Sequence, residues 1–181
     1  ATNATNLESS LSFSSDYGNN TVDAATKKLY ALRTANLLGN RSDVLQNLTD
    51  TGLSVNFTKE KSLGGDSSAF VTGTANHYNS NGQEKYEVNL VLSAFYGGLF
   101  NGNDGDNVDI HETAHILDFK SDEEESLPFG IQDSTAITYK NERESLFNEY
   151  NQSSSDVGVI KSYGFTNEQE FLAVSIENYY E

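Results

Sequence analysis

The apolar residues of this chain change their spacing twice, and these changes limit the fold classes open to it. Over residues 21–38 they recur at helical spacing, and Gly39 then supplies a helix C-cap. Leu53, Val55 and Phe57 alternate with polar residues, which is typical of a half-buried strand. The last third of the chain returns to helical spacing. This order of helix, strands and helices predicts an α+β domain.

A β-hairpin is predicted in the middle of the chain. Residues 69–78 and 84–93 have strand composition and flank an Asn-Ser-Asn-Gly sequence, in which Asn-Gly is a strong hairpin-turn signal. Residues 95–106 are rich in Gly, Asn and Asp, and we expect them to form a loop. Further helices are predicted over residues 42–48, 108–119 and 138–150, and from a capping box at residues 166–169 to about residue 180.

Length, composition and charge limit the number of domains, the partners and the kinds of metal site that this chain can have. The 181 residues, 36% of them hydrophobic, predict a polar N-terminal segment over residues 1–20 and one domain over residues 21–181. The net charge of −16 repels phosphate, so we expect no nucleic-acid partner and no membrane partner. The absence of cysteine excludes disulfides and thiolate metal sites. We expect a monomer.

One short segment carries a specific chemical pattern, His-Glu-x-x-His. His111 and His115 lie four residues apart on a predicted helix, so both imidazoles point from the same face and can occupy neighbouring corners of a zinc tetrahedron. Glu112 is then placed beside the metal, where it can take a proton from a bound water. With three histidines in the chain, this pattern is expected by chance in roughly 0.003 of such sequences.

A catalytic zinc site of this kind needs a third protein ligand. Cysteine is absent and the remaining histidine, His77, lies near the hairpin, so a carboxylate is favoured. Glu170 and Glu177 lie two turns apart on one face of the closing helix, and the periodicity does not choose between them. Asp118 and Glu177 are also candidates for a carboxylate that orients a ligand imidazole by binding the ring nitrogen that the metal does not use. For Asp118 a simple surface contact is an equal alternative.

Two separated segments together resemble a known family. Residues 107–118, NVDIHETAHILD, resemble the active-site helix of the MtfA-type (Mlc titration factor) zinc peptidases, which read HExxHxLD there. Further along, that family has a Tyr followed by Asn-Pro-x-Glu-Phe-Phe-Ala-Val, and residues 163–180 here read YGFTNEQEFLAVSIENYY. The same spacing resembles the catalytic domain of anthrax lethal factor and the secreted Pro-Pro endopeptidases. The resemblance covers residues 107–181.

The resemblance implies a fold, a cofactor and a reaction. The fold is a zincin-like metalloprotease domain with a small mixed sheet, an HExxH helix and a C-terminal helix that carries the third ligand. The implied cofactor is one Zn²⁺ held by His111, His115 and Glu170. The implied reaction is hydrolysis of a peptide or protein substrate by a zinc-bound water, with Glu112 as general base and Tyr163 stabilising the oxyanion.

The resemblance also suggests where substrate binds. Zincin clefts hold the substrate as an extended strand against an edge strand that precedes the active-site helix. Residues 86–93 are the predicted edge strand. Four apolar residues of this segment are predicted to share one face: Tyr86, Val88, Leu90 and Leu92.

Two further expectations concern the biological role. The alternative to an enzyme is a zincin-like binding or regulatory module with little proteolysis, because the MtfA family is linked to binding of a transcriptional repressor. Intact Glu112 and Tyr163 favour the enzyme, since a pure binder needs no general base. The missing Met, the polar N-terminus and the acidic, Asn-rich composition predict a secreted protein, extracellular or periplasmic, with a cytoplasmic location as the alternative.

Overall fold

The computed structural model describes residues 2–15, 22–39, 41–50, 52–59, 71–101, 106–124, 136–152 and 162–180. The first half of this part of the chain contains both helices and strands, and helices fill the second half. The α-helices are α1 Thr2–Ser10, α2 Ala24–Leu38, α3 Ser42–Asp50, α4 Leu92–Phe100, α5 Val108–Glu124, α6 Ala136–Gln152 and α7 Glu168–Tyr179. The strands are β1 Ser12–Ser15, β2 Ser54–Thr58, β3 Gly73–Ser80 and β4 Gln83–Val91, and a 3-10 turn covers Ser162–Phe165.

The strands of the described residues form one mixed sheet in the order β1-β2-β4-β3. β1 and β2 are parallel, β2 and β4 are parallel, and β3 is antiparallel to β4. The predicted hairpin joins β3 to β4 through Asn81 and Gly82, whose φ angles of 56° and 77° match a type I′ turn. The prediction of a small mixed sheet in a chain of helices and strands is therefore confirmed.

The prediction that residues 86–93 form an edge strand is wrong. β4 lies between β2 and β3, because it pairs with its hairpin partner on one side and with β2 on the other. Tyr86, Val88 and Leu90 do share one face of β4, but that face is buried in the core, and Leu92 is the first residue of α4. Among the described strands, the edges of the sheet are β1 and β3.

The two faces of the sheet differ in chemistry. One face carries buried apolar side chains such as Val55 and Val88, which stand side by side on β2 and β4. The opposite face carries a row of polar side chains joined by hydrogen bonds of 3.0–3.2 Å across all four strands. This row consists of Ser14, Asn56, Asn89 and Thr74. Within the described residues, α5 packs against the apolar face, where it contacts β3 and β4.

The core joins the N-terminal segment to the rest of the chain. Tyr30 of α2 lies among Phe57 and Phe95, with ring centroids 6.4 and 6.5 Å away. Leu7 and Leu11, from the predicted polar N-terminal segment, are buried in the same core. Residues 2–15 therefore extend the sheet and the core.

Two predicted boundaries differ from the structure. The loop predicted over residues 95–106 is wrong up to Phe100, because α4 continues there with Phe95 fully buried among aromatic rings; residues 102–105 lie outside the described part. At the start of α7 the N-cap is Asn167 and not Thr166, because the Asn167 side chain accepts a hydrogen bond from the Glu170 N–H at 2.9 Å.

No helix of the described part is both long and apolar enough to cross a membrane.

Candidate metal centre

Helix α5 is buried on all sides through its first three turns. Its residues from 108 to 118 are all buried, because β3 and β4 cover one side, α7 covers another and α2 covers a third. A helix in this position presents its polar side chains to protein and not to water. Each of those side chains therefore needs a partner within the fold.

Three donor atoms from α5 and α7 converge on one point. The Nε2 atoms of His111 and His115 lie 3.2 Å apart. Oε2 of Glu170 lies 3.1 Å from Nε2 of His111 and 3.3 Å from Nε2 of His115. Zinc bound tetrahedrally at about 2.0–2.1 Å requires ligand atoms about 3.3 Å apart. Two nitrogens and one oxygen at these separations fit that metal.

Glu177 occupies a different position from Glu170, although the sequence left both open as the third ligand. Its Oε2 lies 3.3 Å from Nδ1 of His111, on the far side of the ring from the three converging atoms. Its Oε1 accepts a hydrogen bond from the backbone N–H of Asn107. Glu177 thus contacts the ring nitrogen of His111 that does not join the three converging atoms. Its role as a carboxylate that orients a ligand imidazole stays a prediction.

The charges around the converging atoms favour a cation between them. Burial alone would lower the pKa of His111, but its hydrogen bonds to Glu170 and Glu177 raise it to about 10. Burial alone would raise the pKa of Glu170, yet its contacts with His111 and His115 hold that pKa below its ordinary value. Both directions show that the site stabilises positive charge, whether carried by protons or by a metal ion.

Glu112 lies beside this group without contributing an atom to it. Its side chain is buried, and burial raises its pKa to about 7, against the opposing effect of His111 and His115. The side chain packs directly on Gly73, the first residue of β3. A Cβ at Gly73 would stand 2.6 Å from both Cγ and Oε1 of Glu112. No local sequence pattern marks this contact, because the two residues meet only through the packing of β3 on α5.

Tyr163 stands at the solvent side of the site. Its ring centroid is 5.9 Å from that of His111. Partial burial and the charge of Glu170 raise its pKa to about 12, so the hydroxyl stays protonated. More than half of the residue is exposed, at 56%. Tyr163 is therefore the group of this set that a bound molecule can most readily reach.

Asp118 is 1% exposed, so the surface contact weighed for it from the sequence is wrong. It accepts a charged hydrogen bond from Arg143 of α6, and its role beside a ligand imidazole stays a prediction. Arg143 also lies 3.7 Å from Glu168, the first residue of α7. Arg143 thus links α5 to α7 through Asp118 and Glu168, on the C-terminal side of the two histidines. His77 stacks on Tyr86 with 4.7 Å between ring centroids, and it is not among the converging donors.

Residues 44–181 match the family described as glucose-regulated metallo-peptidase M90, which is the MtfA-like metallopeptidase family of the sequence resemblance. The chain matches no curated protein and no solved structure at a significant level. The relationship to lethal factor and the Pro-Pro endopeptidases stays a prediction. Because the match covers well over half of the chain, the chain belongs to the glucose-regulated metallo-peptidase M90 family.

Proposed function

We propose that this protein is a zinc-dependent peptidase whose metal is held by His111, His115 and Glu170. The observation that carries the proposal is the convergence of one oxygen and two nitrogens, from two helices, at 3.1–3.3 Å from one another. Two imidazoles and one carboxylate are a donor set typical of catalytic zinc, which keeps a further position for solvent or substrate. Membership of a metallopeptidase family supports a peptide or protein as substrate.

The side chains around the site have the properties that peptide hydrolysis requires. Zinc, when bound, supplies a Lewis acid that lowers the pKa of water toward about 7 and polarises a carbonyl. Glu112 accepts the proton of the attacking water and returns it to the leaving amine, and burial, which raises its pKa above the ordinary value, makes it a stronger base for the first transfer. The hydroxyl of Tyr163 donates a hydrogen bond to the oxygen on which negative charge develops.

The substrate is proposed to lie along β3, in place of the β4 segment predicted from the sequence. β3 is the described edge strand that packs against α5, and its first residue, Gly73, contacts Glu112. A peptide added beside this strand gains main-chain hydrogen bonds and brings a peptide bond close to the general base. Such pairing uses the backbone of the substrate more than its side chains. Any preference for a substrate sequence therefore has to come from other contacts.

Replacing Gly73 by alanine is expected to lower kcat by about a hundredfold, because its Cβ would stand 2.5 Å from Cγ2 of Val108 and 2.6 Å from the Glu112 side chain. Both clashes move Glu112, and a 1 Å displacement of a catalytic group costs about that much. Zinc affinity should stay near the wild-type value. The matched control is Gly97→Ala in α4, where a Cβ meets no atom within 4 Å. Steady-state kinetics of both variants make the measurement, and wild-type kcat in Gly73→Ala would contradict the placement of Glu112.

The proposed function is tested by metal content and by peptide cleavage measured on the same sample. We expect the protein to cleave members of a mixed peptide library, to lose this activity when a chelator removes its metal, and to regain it when zinc is returned. Cleavage that persists after complete removal of metal would contradict the proposal. Zinc binding without cleavage of any library member would instead support the binding module, which the intact general base disfavours.

A further inference from the structure

Helix α2 precedes the family match, which begins at residue 44, yet it contacts the helix that carries both histidines. Tyr30 and Arg33 lie one turn apart on α2, and they contact Thr113 and Asp109, which lie about one turn apart on α5. The hydroxyls of Tyr30 and Thr113 share a buried hydrogen bond of 2.9 Å. The two helices therefore meet along a line of polar contacts directly behind the His-Glu-x-x-His segment.

Arg33 binds two residues at the start of α5. Its Nε donates to Oδ2 of Asp109 at 2.6 Å, and its Nη2 donates to Oδ1 of the same carboxylate at 3.2 Å. Nη2 also donates to the side-chain oxygen of Asn107. The planar guanidinium is suited to such a contact, because it presents several donors in a fixed geometry. Lysine has only a compact ammonium group and cannot span the same acceptors.

The contact of Arg33 with Asn107 continues toward the metal centre. The backbone N–H of Asn107 donates to Oε1 of Glu177, whose other oxygen lies 3.3 Å from Nδ1 of His111. Asn107 also accepts, through its carbonyl, the backbone hydrogen bond of His111 at 3.0 Å. Asn107 is thus held on one side by Arg33 and on the other side by the groups that orient His111.

The use of arginine in this chain supports a specific role for Arg33. The chain has only three arginines, Arg33, Arg41 and Arg143. Arg33 and Arg143 come from the helices on either side of α5, and each binds an aspartate that is at most 2% exposed. Arg41 instead pairs with Asp43 in contact with solvent, both side chains being more than half exposed.

We propose that Arg33 is a positioning residue for the metal centre, acting through Asn107 and Glu177 on His111. The inference rests on the proposed function, because the imidazole that is positioned is one of the three proposed ligands. It extends the functional unit to α2, outside the part of the chain that matches the family. Partners one step removed from a ligand, as Glu177 is from His111, typically change metal affinity by about 10–100-fold when they are lost. Arg33 is further removed, so we expect an effect at the lower end of this range.

The test is the zinc dissociation constant of Arg33→Met, measured by competition with a chromophoric chelator. We expect it to rise about tenfold relative to wild type. Arg33→Lys should recover part of this loss, because it keeps the charge beside Asp109 without reaching Asn107 in the same way. Arg41→Met is the matched control, since it removes an arginine–aspartate pair of similar geometry that is exposed to solvent. Its dissociation constant should equal that of wild type.

A second pair of variants keeps the test valid if Arg33→Met unfolds because Asp109 is left buried without its partner. The double variant Arg33→Met/Asp109→Asn removes both charges and still lacks the contact with Asn107, so its zinc affinity should also fall about tenfold. In a Glu177→Gln background, Arg33→Met should add little further loss, because both changes act on the same imidazole.

Each outcome bears on a different claim. A folded Arg33 variant that binds zinc within about twofold of wild type would overturn the positioning role, and so would full additivity with Glu177→Gln. A wild-type protein that binds no zinc would overturn the proposed function and this inference together. Zinc affinity that falls in the Arg33 variants but not in Arg41→Met supports both.

Discussion

Glu112→Gln is expected to lower kcat by about 10²–10⁴-fold while zinc affinity stays close to that of wild type. Glutamine has the same size as glutamate but cannot accept the proton of the attacking water. Glu112 contributes no atom to the three converging donors, so its replacement leaves the proposed ligands in place. Both quantities are measurable on one preparation, by peptide cleavage and by competition with a chelator.

The size of this effect follows from where Glu112 lies. It is 7% exposed and packed against Gly73, so bulk water has little access to its position. The matched control is Glu142→Gln, which removes an exposed glutamate of α6 and should leave kcat unchanged. A Glu112→Gln enzyme with wild-type turnover would remove this residue from the mechanism.

Glu170→Gln is expected to weaken zinc binding by well over a hundredfold, because losing only an outer partner of a ligand already costs about 10–100-fold. The amide carries no charge, whereas the carboxylate lies 3.1 and 3.3 Å from the two imidazoles. The measurement is a zinc titration against a competing chelator. The matched control is Glu168→Gln, which changes a glutamate in the same helical turn that lies near Arg143 and not near the histidines.

The features that local sequence patterns determine were predictable. The spacing of His111 and His115 places both on one face of a helix, independently of how the rest of the chain packs, and their Nε2 atoms do lie 3.2 Å apart. The Asn81-Gly82 turn was equally predictable, because few other residue pairs adopt positive φ at both positions. Glu170 needed the family resemblance, since Glu170 and Glu177 have the same helical periodicity.

The features that depend on distant packing were not predictable. The alternation in β4 is the same for an interior strand and for an edge strand with one buried face, so it could not reveal the pairing with β2. The Gly and Asn content of residues 95–106 predicts a loop, whereas α4 continues to Phe100 because Phe95 is held in the core by Tyr30 and Phe57. Arg33 contacts residues more than seventy positions away, and no local pattern marks such a contact.

The central claim is that His111, His115 and Glu170 together bind one metal ion, and parallel zinc titrations of wild type and Glu170→Gln test it most directly. The predicted result is one tightly bound zinc per wild-type chain, with that site lost or greatly weakened in the variant and retained in Glu168→Gln. Equal stoichiometry and equal affinity in Glu170→Gln and wild type would contradict the claim.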